Sequence, residues 1–93
     1  MPKAKPPTAA QRRYWDKLIE LGCIIFGCSN PPGIHHCETG RGGRKDHDKV
    51  LPLCYYHHQG AQGIHRLSRR IWEAIYGTEQ LLMAMANEML GMA

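Results

Sequence analysis

The sequence lacks an apolar run long enough to cross a membrane. Its first residues, MPKAKPPTAAQRR, also lack the apolar core and cleavage signal of a secretory leader. These absences argue against an integral membrane protein and a secreted disulfide framework, so we expect a location in the reducing cytosol. In that compartment, clustered cysteines bind metal ions more often than they form disulfides.

Acidic residues are scarce in most of the chain. Residues 1–70 hold all twelve Lys and Arg, whereas three of the eight acids (Glu73, Glu79 and Glu88) lie in the last quarter. A basic body favours a polyanionic partner. A formal net charge of +4 is also ordinary for a small soluble protein, so charge alone does not establish a polyanionic partner.

Metal-ligating residues are concentrated in the middle of the chain. A domain of 93 residues buries a limited core, and small domains often add a metal, disulfides or a partner for stability. All four Cys and all six His lie between Cys23 and His65. This concentration indicates metal binding.

The apolar and turn residues predict an α+β domain over residues 9–93, after a disordered basic arm over residues 1–8. We predict helices over 9–21, 68–76 and 79–90, strands over 34–39 and 50–53, and a short helix or tight turn over 54–58. Thr8 and Thr78 are predicted N-caps, and Gly22 and Gly77 are predicted helix stops. The predicted buried helix faces contain Trp15, Leu18 and Ile19, then Ile71, Trp72 and Ile75, then Leu82, Met85 and Met89.

Two closely spaced ligand pairs predict a structural zinc site. They are Cys23-x4-Cys28 and Cys54-x2-His57, and zinc is usually held by two such pairs separated by a longer loop. Cys37 is a further thiol that can replace Cys23 or Cys28, or serve as a small buried apolar residue.

The remaining histidines predict a second, catalytic ion site. His35 and His36 are adjacent on a predicted strand, so they point to opposite sides and can divide the work of metal ligand and general base. His58 directly follows a predicted zinc ligand, and His65 supplies a third imidazole. Three protein ligands leave positions open for water and a phosphate oxygen.

These motifs occur in an order that resembles a known family. Gly22-Cys23, His35-His36, the glycine-rich basic loop, His47, PLCYYHH over 52–58, GIH over 63–65 and YGTEQLL over 76–82 are similar to the phage-encoded recombination-enhancement (Ref-like) nucleases, a branch of the HNH superfamily. The resemblance covers about residues 9–83. It implies a small ββα-metal core (the HNH or His-Me finger) with a zinc knuckle, and metal-dependent cleavage of DNA in phage or prophage recombination in the host cytosol. It further implies a host RecA filament as a partner.

The resemblance assigns roles to individual residues. It implies His35 and His58 as ligands of the catalytic ion, with His65 close to that ion, and His36 as the general base. It also matches Cys23, Cys54 and His57 to ligands of the structural zinc. The catalytic ion is expected to be Mg²⁺, Mn²⁺ or Zn²⁺.

The sequence departs from the family pattern at two places. The family's second knuckle cysteine falls at Phe26 here, which makes Cys28 its natural substitute. The middle Asn of the HNH motif is absent, and His47 lies in its neighbourhood, where it is expected to orient the base or contact phosphate. The predicted phosphate-contacting residues are Arg41, Arg44, Lys45, Arg66, Arg69 and Arg70.

The expected function is therefore an HNH endonuclease. A non-catalytic, zinc-stabilised nucleic-acid-binding module needs only the Cys3His site and the basic loops, so it remains the main alternative. A zinc-bound protein-interaction adaptor is the third. The doubled histidines distinguish the nuclease from both, because neither alternative needs a second ion site.

Overall fold

The computed structural model describes residues 5–38 and 45–91, within which four helices flank a two-stranded antiparallel sheet. The elements are α1 (Ala9–Leu21), β1 (Pro32–His36), β2 (Val50–Cys54), α2 (Tyr55–His58), α3 (Arg69–Tyr76) and α4 (Glu79–Met89). The predicted α+β class is confirmed. None of the described helices is both long and apolar enough to traverse a lipid bilayer.

The helix boundaries follow from capping residues. Thr8 forms a capping box with Gln11, in which each side chain accepts a hydrogen bond from the other residue's backbone N–H. Thr78 accepts from the N–H of Leu81 at the start of α4. Gly22 and Gly77 end α1 and α3 with φ of 96° and 107°, where a side chain is strained. The four predicted caps and stops are confirmed.

The strand pairing sets the position of the histidines. Pro32 lies opposite Cys54 and His36 lies opposite Val50, so β1 starts and ends where β2 provides partners. The predicted strand over 34–39 is therefore displaced: it begins two residues earlier and ends at His36. Thr39, the last residue of that prediction, lies outside the described residues.

The core is built around β2. All five of its residues are buried, because α1 and α4 pack on it and β1 pairs with its edge. Leu18 of α1 and Trp72 of α3 are fully buried beside it. The carbonyl of Pro52 also accepts a hydrogen bond from the N–H of Ile24, at 2.9 Å, which ties the segment after α1 to the strand.

The predicted buried faces of the helices are partly wrong. Ile71 and Ile75 are more than half exposed, and Trp72 is the one buried residue of α3, with Tyr76 partly buried against the core. The buried residues of α4 are Glu79, Leu82 and Ala86. Their spacing of three and four residues is that of one helix face. This face includes an acid, Glu79, and leaves Met85 and Met89 exposed. Ile19 of α1 is likewise exposed, 42% of its surface being accessible.

Candidate metal centres and the histidine pair

Three segments bring four ligands together at one end of the sheet. Cys23 and Cys28 come from the segment after α1, Cys54 is the last residue of β2, and His57 lies one turn later in α2. The four ligand atoms lie within 4.8 Å of one another. This confirms that the two sequence-distant ligand pairs meet.

The separations within this Cys3His cluster suit zinc. With zinc bonds of about 2.3 Å to sulfur and 2.0–2.1 Å to nitrogen, a tetrahedral site has edges of about 3.7 Å between sulfurs and about 3.6 Å between sulfur and nitrogen. The Sγ atoms of Cys28 and Cys54 are 3.7 Å apart. Nδ1 of His57 lies 3.2 Å from Sγ of Cys54 and 3.8 Å from Sγ of Cys23. All four cysteines of the chain are free thiols rather than disulfides.

Electrostatics within the cluster favour a metal-binding thiolate. Burial opposes ionisation of Cys54, but hydrogen bonds from the backbone N–H of His57 and from neighbouring side chains lower its pKa. Burial raises the pKa of Cys23 to about 12, so a thiolate there needs a positive partner. A bound cation is such a partner.

Cys37 lies away from this cluster. It is 4% exposed and contacts Glu79, with which it and His35 form a separate group. Burial and the Glu79 carboxylate raise the pKa of the Cys37 thiol to about 12. The third cysteine of the Cys3His cluster, beside Cys23 and Cys54, is therefore Cys28 and not Cys37.

A second cluster contains His35, His58 and His65, and each offers a ring nitrogen within 4.8 Å of the others. The Nε2 atoms of His58 and His65 are 3.0 Å apart, which matches the separation of about 3.0–3.4 Å between nitrogen ligands of one ion. The backbone fixes this spacing, since the N–H of His65 donates to the carbonyl of His58. Burial and the neighbouring rings of His35 and His65 lower the pKa of His58 to about 4. The pKa of His65 is lowered by the same kinds of effect, so both rings are neutral at neutral pH and have a lone pair to offer.

His36 belongs to a different cluster, with His47 and Trp15. Its Nε2 lies 3.0 Å from Nδ1 of His47, while Nε2 of His47 contacts the carbonyl of Lys5. The indole N–H of Trp15 donates to the carbonyl of His47, at 2.8 Å, and the Trp15 ring lies edge-on to both imidazoles. His35 and His36 therefore join different clusters, as the alternation of side chains along a strand predicts.

The hydrogen bonds of this pair define the proton positions. A carbonyl only accepts, so Nε2 of His47 carries the proton that it donates to Lys5. In the tautomer that carries its proton on Nε2, His47 has an acceptor at Nδ1, which receives the Nε2–H of His36. Nδ1 of His36 is left with a free lone pair. Burial, followed by the charge of Lys45, lowers the pKa of His36 and so favours its neutral form.

The predicted phosphate-contacting residues divide into three groups. Lys45, Arg66 and Arg70 are exposed on the surface. Arg69 is also exposed, but its Nη1 lies 2.6 Å from a carboxylate oxygen of buried Glu79. Arg41 and Arg44 lie outside the described residues.

The sequence did not predict that three further groups contact these clusters: the Glu79 carboxylate, the Trp15 indole and the Lys5 carbonyl. Trp15 was assigned to the core, and a backbone carbonyl has no signature in a sequence. Glu79 sits in the first turn of a helix, where acids are common because they complement the helix dipole. Its position in the YGTEQLL motif was the one available signal.

A family model described as recombination enhancement, RecA-dependent nuclease matches residues 7–72. The match begins just before the N-cap of α1 and ends at Trp72, so it contains all ten Cys and His residues of the two metal clusters, the histidine pair and Cys37. The chain belongs to this family of RecA-dependent recombination-enhancement nucleases.

Proposed function

We propose that the protein is an HNH-type, metal-dependent DNA endonuclease. The observation that carries the proposal is the arrangement of imidazoles around β1. Two neutral rings, those of His58 and His65, converge on His35, and a hydrogen-bonded histidine pair is centred on the adjacent residue, His36. A module that only binds nucleic acid has no use for either group.

The three-histidine cluster is the proposed site of the catalytic cation. Its donor set fits a divalent ion because three imidazoles supply three ring nitrogens and leave other positions open. A bound divalent cation supplies charge stabilisation for the scissile phosphate and for the leaving oxygen. His35 and His58 come from β1 and α2, so the sheet and the short helix set their separation.

His36 is the proposed general base. Its free Nδ1 lone pair accepts a proton from water as the water oxygen forms a bond to phosphorus and the bond to the 3′ oxygen breaks. His47 and the Lys5 carbonyl hold the ring in the tautomer that leaves Nδ1 unprotonated. His36 directly follows His35 on β1, so the proposed base and the proposed metal ligand are neighbours on one strand.

The Cys3His cluster has a structural role in this proposal. His57 belongs to it, and the next residue, His58, belongs to the cation site. A zinc ion held by Cys23, Cys28, Cys54 and His57 would fix the short helix α2 and, through it, the position of His58. Four residues of helix are too few to be stable alone.

DNA is the proposed substrate and a RecA filament the proposed partner. The exposed Lys45, Arg66 and Arg70 supply phosphate contacts that carry no sequence information. Arg41, Arg44 and Arg69 are proposed to add to them. The family description supports RecA dependence.

The test is cleavage of supercoiled plasmid and of RecA-coated circular single-stranded DNA with ATP, in the presence of Mg²⁺, Mn²⁺, Ni²⁺ or Zn²⁺. His36→Ala is expected to reduce cleavage by about 10²- to 10⁴-fold, the usual contribution of a general base. Its zinc content and thermal unfolding should stay unchanged. Glu88→Gln, a change of an exposed residue on α4, is the control and should cut like the parent protein.

Two outcomes would contradict the proposal. Undiminished cleavage by His36→Ala would remove His36 from the role of base. No cleavage under any of these conditions, together with salt-sensitive retention of DNA, would favour the zinc-stabilised binding module instead.

A further inference from the structure

Glu79 is a buried acid that has no role in the proposed cleavage reaction. Its side chain is 1% exposed, in the first turn of α4, and it lies beyond the residues that the family model matches. One carboxylate oxygen, Oε2, lies 2.6 Å from Nε2 of His35. The other, Oε1, accepts from the N–H of Glu38 at 3.1 Å and from Nη1 of Arg69 at 2.6 Å.

The partners of Glu79 are those of a carboxylate. Oε1 lies against the guanidinium of Arg69, a permanent cation, and also accepts from the backbone N–H of Glu38. The Cys37 thiol lies beside the same carboxylate. A carboxylate only accepts hydrogen bonds, so the Nε2–H of His35 is the donor in its contact with Oε2.

The other nitrogen of His35 is then defined as well. With Nε2 as the donor to Glu79, Nδ1 is the ring nitrogen that can offer a lone pair to a cation. That atom is fully buried and has no hydrogen-bond partner among the described residues, the one such buried side-chain nitrogen or oxygen in that part of the chain. Buried polar atoms without partners are rare in native structures, and a bound ion is one of the features that account for them. The His35 ring lies 4.9 Å and 5.2 Å, centroid to centroid, from the rings of His58 and His65.

We propose that Glu79 is a positioning residue that holds His35 with Nδ1 presented to the catalytic cation, an inference that rests on the proposed function of the three-histidine cluster. A carboxylate that accepts from the distal N–H of a ligating histidine fixes its tautomer and strengthens it as a donor. Arg69 then has a second role besides phosphate contact, since it holds the carboxylate in place from the protein surface. The acid that begins α4 thus couples the last helix to the ion site.

Metal titration of the zinc-loaded protein tests this assignment. Mn²⁺ binding would be measured by calorimetry and by electron paramagnetic resonance for the parent protein, Glu79→Gln, Glu73→Gln and His58→Ala. Glu73→Gln is the matched control, because Glu73 also pairs with Arg69, at 3.8 Å, and the substitution removes the same charge. Zinc content and thermal unfolding would be recorded for every variant.

Glu79→Gln is expected to weaken Mn²⁺ binding by about 10- to 100-fold, whereas Glu73→Gln leaves it unchanged. Equal affinities of Glu79→Gln and the parent protein would overturn the positioning role. Failure of the parent protein itself to bind Mn²⁺ more tightly than His58→Ala would instead overturn the cation site, and with it the proposed function.

A second measurement does not depend on the folding of any variant. Long-range ¹H–¹⁵N correlation spectra of the zinc-loaded parent protein report which nitrogen of each neutral histidine is protonated. His35 is expected to be protonated on Nε2. Because Mn²⁺ is paramagnetic, diamagnetic Mg²⁺ or a second equivalent of Zn²⁺ is added in its place, and the Nδ1 resonance of His35 should then shift. Protonation of His35 on Nδ1 would overturn the assignment.

Discussion

The indole N–H of Trp72 lies 3.2 Å from the carbonyl oxygen of His57 and donates to it. It also donates to the carbonyl of Gln62, at 3.0 Å. Trp72 is fully buried and anchors α3, and His57 is a member of the Cys3His cluster. One core side chain therefore links the packing of α3 to the backbone of a zinc ligand.

Trp72→Phe is expected to destabilise the domain by roughly 1–3 kcal/mol, because the carbonyls of His57 and Gln62 each lose the indole donor, although that of His57 keeps the N–H of Ile64. Zinc should also leave faster, since the backbone of His57 is held less firmly. Urea unfolding and zinc transfer to a chromogenic chelator measure the two effects. Trp15→Phe is the control: it removes a donor to His47 instead and should leave the zinc-release rate unchanged. Equal acceleration by both variants would contradict the link.

Substitution of Cys54 and, separately, of Cys37 tests which cysteines bind the structural zinc. Cys54→Ser is expected to lose zinc and to unfold the domain, because a structural zinc supplies folding energy directly. Cys37→Ala should keep one zinc per chain, since Cys37 lies beside Glu79 and not in the Cys3His cluster. Elemental analysis and circular dichroism, before and after a strong chelator, are the measurements. Loss of zinc from Cys37→Ala would show that the ligand set has been assigned wrongly.

The local features of this fold could be predicted from the sequence. Thr8, Gly22 and Thr78 act within one turn of the helix that they begin or end, so their side chains or φ preferences suffice. The divergence of His35 and His36 follows from strand geometry alone. The Cys3His cluster was predictable because zinc ligands occur in short, regular spacings.

Relationships between distant residues could not be predicted in this way. Glu79 and His35 meet only because α4 packs against β2, and nothing in the spacing of 44 residues indicates that contact. The same packing explains why the buried face of α4 was predicted wrongly. Most residues of α4 are apolar, so the helix could bury any of several faces, and the buried contacts of Glu79 determine which one it buries. The choice between Cys28 and Cys37 likewise needed the three-dimensional arrangement.

Gly63→Ala tests whether backbone contact sets the spacing of the cation site. A Cβ at Gly63 would lie 2.6 Å from the backbone carbon and oxygen of His58, so the chain must move apart between His58 and His65. We expect a loss of about 1–3 kcal/mol in unfolding free energy and weaker Mn²⁺ binding. Gly33→Ala, whose Cβ meets nothing within 4 Å, should change neither. Unfolding curves and Mn²⁺ titrations decide, and parental affinity in a destabilised Gly63→Ala would contradict the spacing argument.

Substitution of His47 tests whether the histidine pair sets the tautomer of the base. His47→Ala removes the acceptor for the Nε2–H of His36, so its ring can turn or move its proton to Nδ1, and cleavage should fall by about tenfold or more. His47→Gln still offers an acceptor oxygen to His36 and a donor to the Lys5 carbonyl, so it should retain more activity. Single-turnover cleavage rates at saturating DNA separate this effect from binding. If both variants lose activity equally while their DNA affinity and zinc content stay normal, His47 acts through its own ring chemistry and not by orienting His36.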